Sequence, residues 1–97
     1  MTTTLHIENT VHDFAAWKQA FDKFDRFRAD NGVRSYRVTQ STDDPHEVVV
    51  DLDFDSKGAA EAFSQLLLKV WQTPQSQQQL VTHSEPRILT LAESRTF

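Results

Sequence analysis

Five ionisable side chains in this chain stand at spacings that could do chemistry. His6 and Glu8 alternate with Leu5 and Ile7, and Asp51 and Asp53 alternate with Val50, Leu52 and Phe54. In extended backbone each set projects from one face of a strand. Arg37 stands in a third alternating segment, between Tyr36 and Val38. A histidine beside a carboxylate can exchange a proton near neutral pH, and an arginine beside them can anchor an anion, so His6, Arg37 and Asp51 are candidates for base, anion anchor and orienting acid. The competing reading is a satisfied ion-pair network at an interface, which we favour because packed sheets strand polar groups that such pairs satisfy. His6, Glu8, Asp51 and Asp53 also offer imidazole and oxygen donors, but no tight ligand spacing supports a metal. We therefore expect neither a metal nor another cofactor.

A second group is Trp71 and His83, which lie around the Thr73-Pro74 break after an apolar helical stripe. Folds of this kind often leave an opening at such a helix end, which makes Trp71 and His83 candidate ligand-binding residues, although a packed indole and a solvated loop histidine are the more common outcome. The run Phe14, Trp17, Phe21, Phe24 resembles a stacking surface, yet its spacing fits a helix core, where each burial stabilises by roughly 1.5 to 3 kcal/mol. His12 and His46 fall at a cap and a turn and receive no role. With Gly32 and Gly58 as the only glycines and no cysteine, a glycine-built phosphate cradle, a thiol nucleophile and a disulfide framework are all excluded.

The elements that must position these residues follow from period and punctuation. Leu5 and Ile7 mark a first strand. From Asp13, which can cap free amides, the apolar period changes to three and four, and the spacing predicts one helix over Phe14 to Asp30 stopped by Asn31-Gly32. Val33 to Gln40 and Glu47 to Phe54 read as a hairpin joined by a turn cluster. Ser56 can cap a second helix with Ala59, Phe63, Leu66, Leu67 and Val70 inward, followed by a short polar helical turn through Gln79. His83 and Pro86 fall in a loop, Ile88, Leu89 and Leu91 form a last strand, and Glu93 to Phe97 is a tail.

The order strand, helix, strand, strand, helix, strand, with right-handed crossovers, is an α+β ferredoxin-like sandwich. Its four-stranded antiparallel sheet carries both helices on one face, with the first and third strands central. Residues 1–97 are expected to make one such domain. Pairing Gln40 with Val48 places Arg37 opposite Asp51 and Ser35 opposite Asp53, whereas a one-residue slip would bury Arg37 under the helices. The face without helices then holds His6, Glu8, Arg37, Asp51 and Asp53, together with Val49 and one of Ile88 or Leu89. A mixed face of this kind invites a second subunit.

Composition limits the partners. The 10 basic and 14 acidic residues give a formal charge of -4, the wrong sign for nucleic acid or anionic lipid. No run approaches the length of a membrane span, and residues Met1 to Leu5 lack the basic start of a leader, so a cytoplasmic protein is expected. A chain of 97 residues buries roughly two thirds of its surface, and a partner subunit would add stability.

The run Asp13-Phe14-Ala15-Ala16-Trp17-Lys18, the segments Gly32 to Arg37 and Val48 to Ser56, the turn Asp43-Asp44-Pro45-His46, and Val70-Trp71 with Pro86 to Leu89 resemble the dimeric α/β-barrel superfamily. Within it, they resemble an antibiotic-biosynthesis-monooxygenase-like branch of small, mostly uncharacterised bacterial proteins. The resemblance implies a homodimer whose sheets pack face to face, with space for a small molecule between sheets or between sheet and helices. It implies a small-ligand-binding protein or, alternatively, a cofactor-independent monooxygenase or polyketide-cyclase-type enzyme acting on an aromatic or polyketide-like molecule. Haem-degrading relatives use an asparagine at the end of the first strand, a tryptophan in the second helix and a histidine further on. Asn9 matches the first of these, but Phe63 and Thr73 fall at the other two positions, so haem chemistry does not carry over.

Overall fold

The computed structural model describes residues 2–73 and 80–97. Along the chain run β1 (Thr3–Val11), α1 (Phe14–Asp22), α2 (Asp25–Asp30), β2 (Ser35–Gln40), β3 (Glu47–Phe54), α3 (Lys57–Trp71), β4 (Leu80–His83) and β5 (Arg87–Thr90). The sheet order is β2-β3-β1-β4, with β5 also on β1, and every pairing is antiparallel. This is the expected ferredoxin-like arrangement with β1 and β3 in the centre. The predicted register is present: Gln40 faces Val48, Arg37 faces Asp51 and Ser35 faces Asp53.

Alternation sorts the two central strands into faces. Thr3, Leu5, Ile7, Asn9 and Val11 of β1 are buried on one side with Val48, Val50, Leu52 and Phe54 of β3. Under this side lie Trp17, Ala60 and Phe63 of the helices, with Phe14, Phe21, Phe27, Leu67 and Trp71 packed against them. The two helix starts are capped as the sequence predicts, since Asp13 Oδ2 accepts from the Ala16 amide at 2.9 Å and Ser56 Oγ from the Ala59 amide at 3.2 Å.

The predicted single helix over 14–30 is two helices. At Phe24 the backbone leaves helical geometry, with φ -97° and ψ 12°, and the Phe21 carbonyl changes partners. It accepts from the Phe24 amide at 3.2 Å and from Arg28 Nη2 at 2.7 Å. The apolar period continues in phase across the break, which is why the periodicity alone does not reveal it. The stop at Gly32 is a Schellman turn, with φ +95°, the Val33 amide donating to the Arg28 carbonyl at 3.1 Å and the Gly32 amide to Ala29 at 3.4 Å.

The last strand also differs from expectation. β4 and β5 share one edge of β1: Asn9 faces His83 in one and Leu5 faces Ile88 in the other. His83 therefore belongs to a strand, and Leu91 falls just outside one. Between them Ser84 bridges the gap, its amide donating to the Glu8 carbonyl at 2.7 Å and its Oγ accepting from the Glu8 amide at 2.9 Å. Pro86, which has no amide hydrogen, lies in that interruption. The polar helical turn predicted through Gln79 lies outside the described residues. Among the described residues no helix is long and apolar enough to cross a membrane.

Candidate functional site

On the open sheet face, β1 and β3 set His6 directly opposite Asp51. The imidazole Nδ1 lies 2.6 Å from Asp51 Oδ1, and Nε2 lies 3.3 Å from Glu8 Oε2. Both ring nitrogens thus face carboxylates, and the ring donates to both at once only when it carries both protons. The His6 and Asp51 side chains are 23% and 17% exposed, so this pair is largely shielded, whereas Glu8 is wet.

Arg37 shares a row with Asp51 but its guanidinium reaches diagonally to Asp53, with Nη1 at 3.5 Å from Oδ2. The structure brings His6 and Asp51 together and places Arg37 with the next carboxylate along the strand. Asp53 is the better satisfied acid. It accepts from Thr4 Oγ1 at 2.7 Å and Ser35 Oγ at 2.9 Å, and its side chain is only 14% exposed. The open face also presents Val49 opposite Glu8, Leu89 opposite Thr4 and Arg87 opposite His6. Among the described residues no group of three metal-ligating side chains is arranged to hold an ion.

On the opposite side of the sheet, the end of α3 meets β1 and β4. Trp71 is half-buried against the core, and the His83 ring stacks on it with centroids 3.7 Å apart and planes at 18°. Asn9, facing His83 across the ladder, points inward and is 5% exposed. A buried amide, an imidazole and an indole therefore converge at one end of the layer between sheet and helices. The sequence carried a signal for Asn9: it is the polar member of the otherwise small or apolar inward row Thr3, Leu5, Ile7, Val11.

Arg28 is the residue that sequence reasoning missed. It occupies the next step of the stripe 14, 17, 21, 24, a charge at a core position, and it is 5% exposed. Its guanidinium carbon sits 3.6 Å from the Phe21 ring centroid, and Nη2 is 3.5 Å from Asp25 Oδ1. Burial pushes the guanidinium below its ordinary range, and Tyr36 and Asp25 partly oppose that shift.

The sequence model of antibiotic biosynthesis monooxygenases matches residues 12–67 of this chain. The chain belongs to the antibiotic biosynthesis monooxygenase family. The match takes in α1, α2, β2, β3 and most of α3, and so includes Arg37 and Asp51 but not His6, Asn9, Trp71 or His83.

Solved structures share the fold across nearly the whole chain. SnoaB, a cofactor-independent oxygenase from Streptomyces nogalater, superposes with a TM-score of 0.70 at 15% identity, over 96% of this chain and 95% of that one. A dimeric ferredoxin-like protein from an uncultured marine organism gives 0.68 at 10% identity, over 97% and 98%. A Pseudomonas aeruginosa protein gives 0.60 at 17% identity, over 94% and 95%. At these identities the likeness is one of fold. No curated protein matches the chain.

Proposed function

We propose that this family member is a small-molecule-binding homodimer that holds a planar aromatic ligand at Asn9, Trp71 and His83. The Trp71–His83 stack beside the buried Asn9 amide carries the reading. Stacked rings at a helix end offer a flat ligand a matching face, and an inward amide can fix one polar substituent. The open sheet face, with His6 held by Asp51 and Arg37 by Asp53, then forms the seam between the two copies. The dimeric state of a fold neighbour supports a homodimer.

The test is titration with 1-naphthol, read on the Trp71 indole N–H resonance. A saturable shift is expected, and His83→Ala should weaken it about fivefold, the size of one aromatic contact. An indole signal that stays in place in the folded protein would overturn the ligand site.

A second reading is favoured by the family itself, namely cofactor-independent monooxygenation of such a ligand. The balanced reaction takes 1-naphthol and O2 to 1,4-naphthoquinone and water. The ring supplies all four electrons, one oxygen atom enters the product, and the other leaves as water. His83 would accept the phenolic proton and Asn9 would hold the resulting oxyanion. Labelled oxygen should then appear once in the quinone without added flavin or metal, and His83→Ala should slow turnover about a hundredfold. Absence of oxygen uptake alongside intact naphthol binding would leave the binding reading in place and remove the enzymatic one.

A further inference from the structure

A cleft of about 260 Å³ opens between α2 and β2, at the sheet edge farthest from Trp71 and His83. Arg28, Arg34 and Tyr36 line it, with Asp25 at the rim. Three observations make it more than a surface fold. Arg28 is a buried cation whose bonds to the Phe21 carbonyl and Asp25 leave Nε as a buried donor without a partner among the described residues. Arg34, at the lip, holds its own acid Asp55 loosely, at 3.3 Å with both side chains mostly exposed. Tyr36 lies edge-on to Phe21 and within 5.2 Å of the Arg28 guanidinium carbon, so an aromatic wall runs beside the two cations.

We propose that this cleft is a binding site for a small organic anion, whose carboxylate or phosphate group pairs with Arg28 and Arg34 and whose body lies against Tyr36. Guanidinium groups recognise planar and tetrahedral oxyanions through paired N–H donors, and they do so more strongly where water is already excluded. The volume lies below the roughly 300–1,000 Å³ range of drug-sized sites, so the ligand is the size of a single substituted ring. Asp25 competes for the same guanidinium, which gives the site a signature that a purely structural arginine lacks.

The test is a titration of the intact protein with benzoate and, separately, with phenyl phosphate, following backbone amide resonances. Saturable shifts are expected at 25–29 and 33–36 with dissociation constants of about 1 mM or tighter, while the Trp71 indole signal stays in place. The tighter of the two probes identifies the anion. Arg34→Gln should weaken binding at least about fivefold, and Asp25→Asn, which removes the competing carboxylate, should strengthen it about threefold. Arg28→Lys, which keeps the charge but not the fork, should weaken binding as well, and if that variant does not fold, Arg34→Gln and Asp25→Asn decide the matter. Shifts reproduced by sodium chloride at equal ionic strength would overturn the proposal, as would affinity unchanged by both Arg34→Gln and Asp25→Asn.

Discussion

Arg28 sets the terms at the scale of single residues. Its burial is tolerated because the guanidinium lies flat on Phe21 and donates to the Phe21 carbonyl, which at the helix break also accepts from the Phe24 amide. A hydrogen bond from a charged donor contributes about 1.5–3 kcal/mol and a cation over a ring about 0.5–2 kcal/mol, offset by desolvation. We expect Arg28→Ala to lower unfolding free energy by about 2 kcal/mol in urea denaturation; an unchanged midpoint and slope would show the pairing to be idle. The carboxylates give a second contrast. Asp53→Ala removes acceptors for Thr4, Ser35 and Arg37 and should destabilise by about 1–2 kcal/mol, whereas Arg37→Ala, losing one long exposed pair, should stay within about 0.5 kcal/mol. Equal effects from the two variants would contradict this ranking. The rows of the open face were legible because strand alternation and one register argument fix them. The choice of Arg37 between Asp51 and Asp53 was not, because a long flexible side chain reaches diagonal neighbours that register does not distinguish. Arg28 was legible only as an anomaly, a charge in phase with aromatic residues.

At the scale of elements, punctuation residues carried most of the information. Asp13 and Ser56 each bind the amide three residues on, and Asp13→Ala should cost about 1 kcal/mol, while Asp13→Asn, which keeps an acceptor, should cost a few tenths. Thermal unfolding of the two variants separates capping from charge: equal losses would assign the effect to the carboxylate's charge. Gly32 isolates a different term. A Cβ built there would find its nearest neighbours at 3.8 Å, so Gly32→Ala meets no clash, and its cost of about 1–2 kcal/mol comes from φ +95° alone. What punctuation did not mark stayed hidden. The break at Phe24 has neither glycine nor proline and is made by a side chain reaching back to a carbonyl. The split of the last strand was missed because short apolar runs carry little period, and its bridging contact, Ser84 on Glu8, joins residues far apart in sequence.

For the whole molecule, the two sides of the sheet make separable demands. The helix side holds the core and the proposed aromatic site, and the open side holds the acids, their partners, Val49 and Leu89. Glu8, Asp51 and Asp53 stand beside His6, Arg37 and Arg87 on that open face, so it carries both signs of charge. A face of that kind can meet its own copy across a two-fold axis, each acid finding a base. If the dimer forms there, Val49→Asp combined with Leu89→Asp introduces like charge into the seam and should weaken dimerisation at least about tenfold, or 1.4 kcal/mol, in sedimentation equilibrium. The helical circular dichroism should be retained, because neither side chain touches the core. A double variant that sediments as the parent does would place the seam elsewhere. The same variant separates assembly from binding: Asn9, Trp71 and His83 lie on the other side of the sheet, so its affinity for 1-naphthol should stay within about twofold of the parent. Loss of both properties together would mean that the partner copy completes the aromatic site.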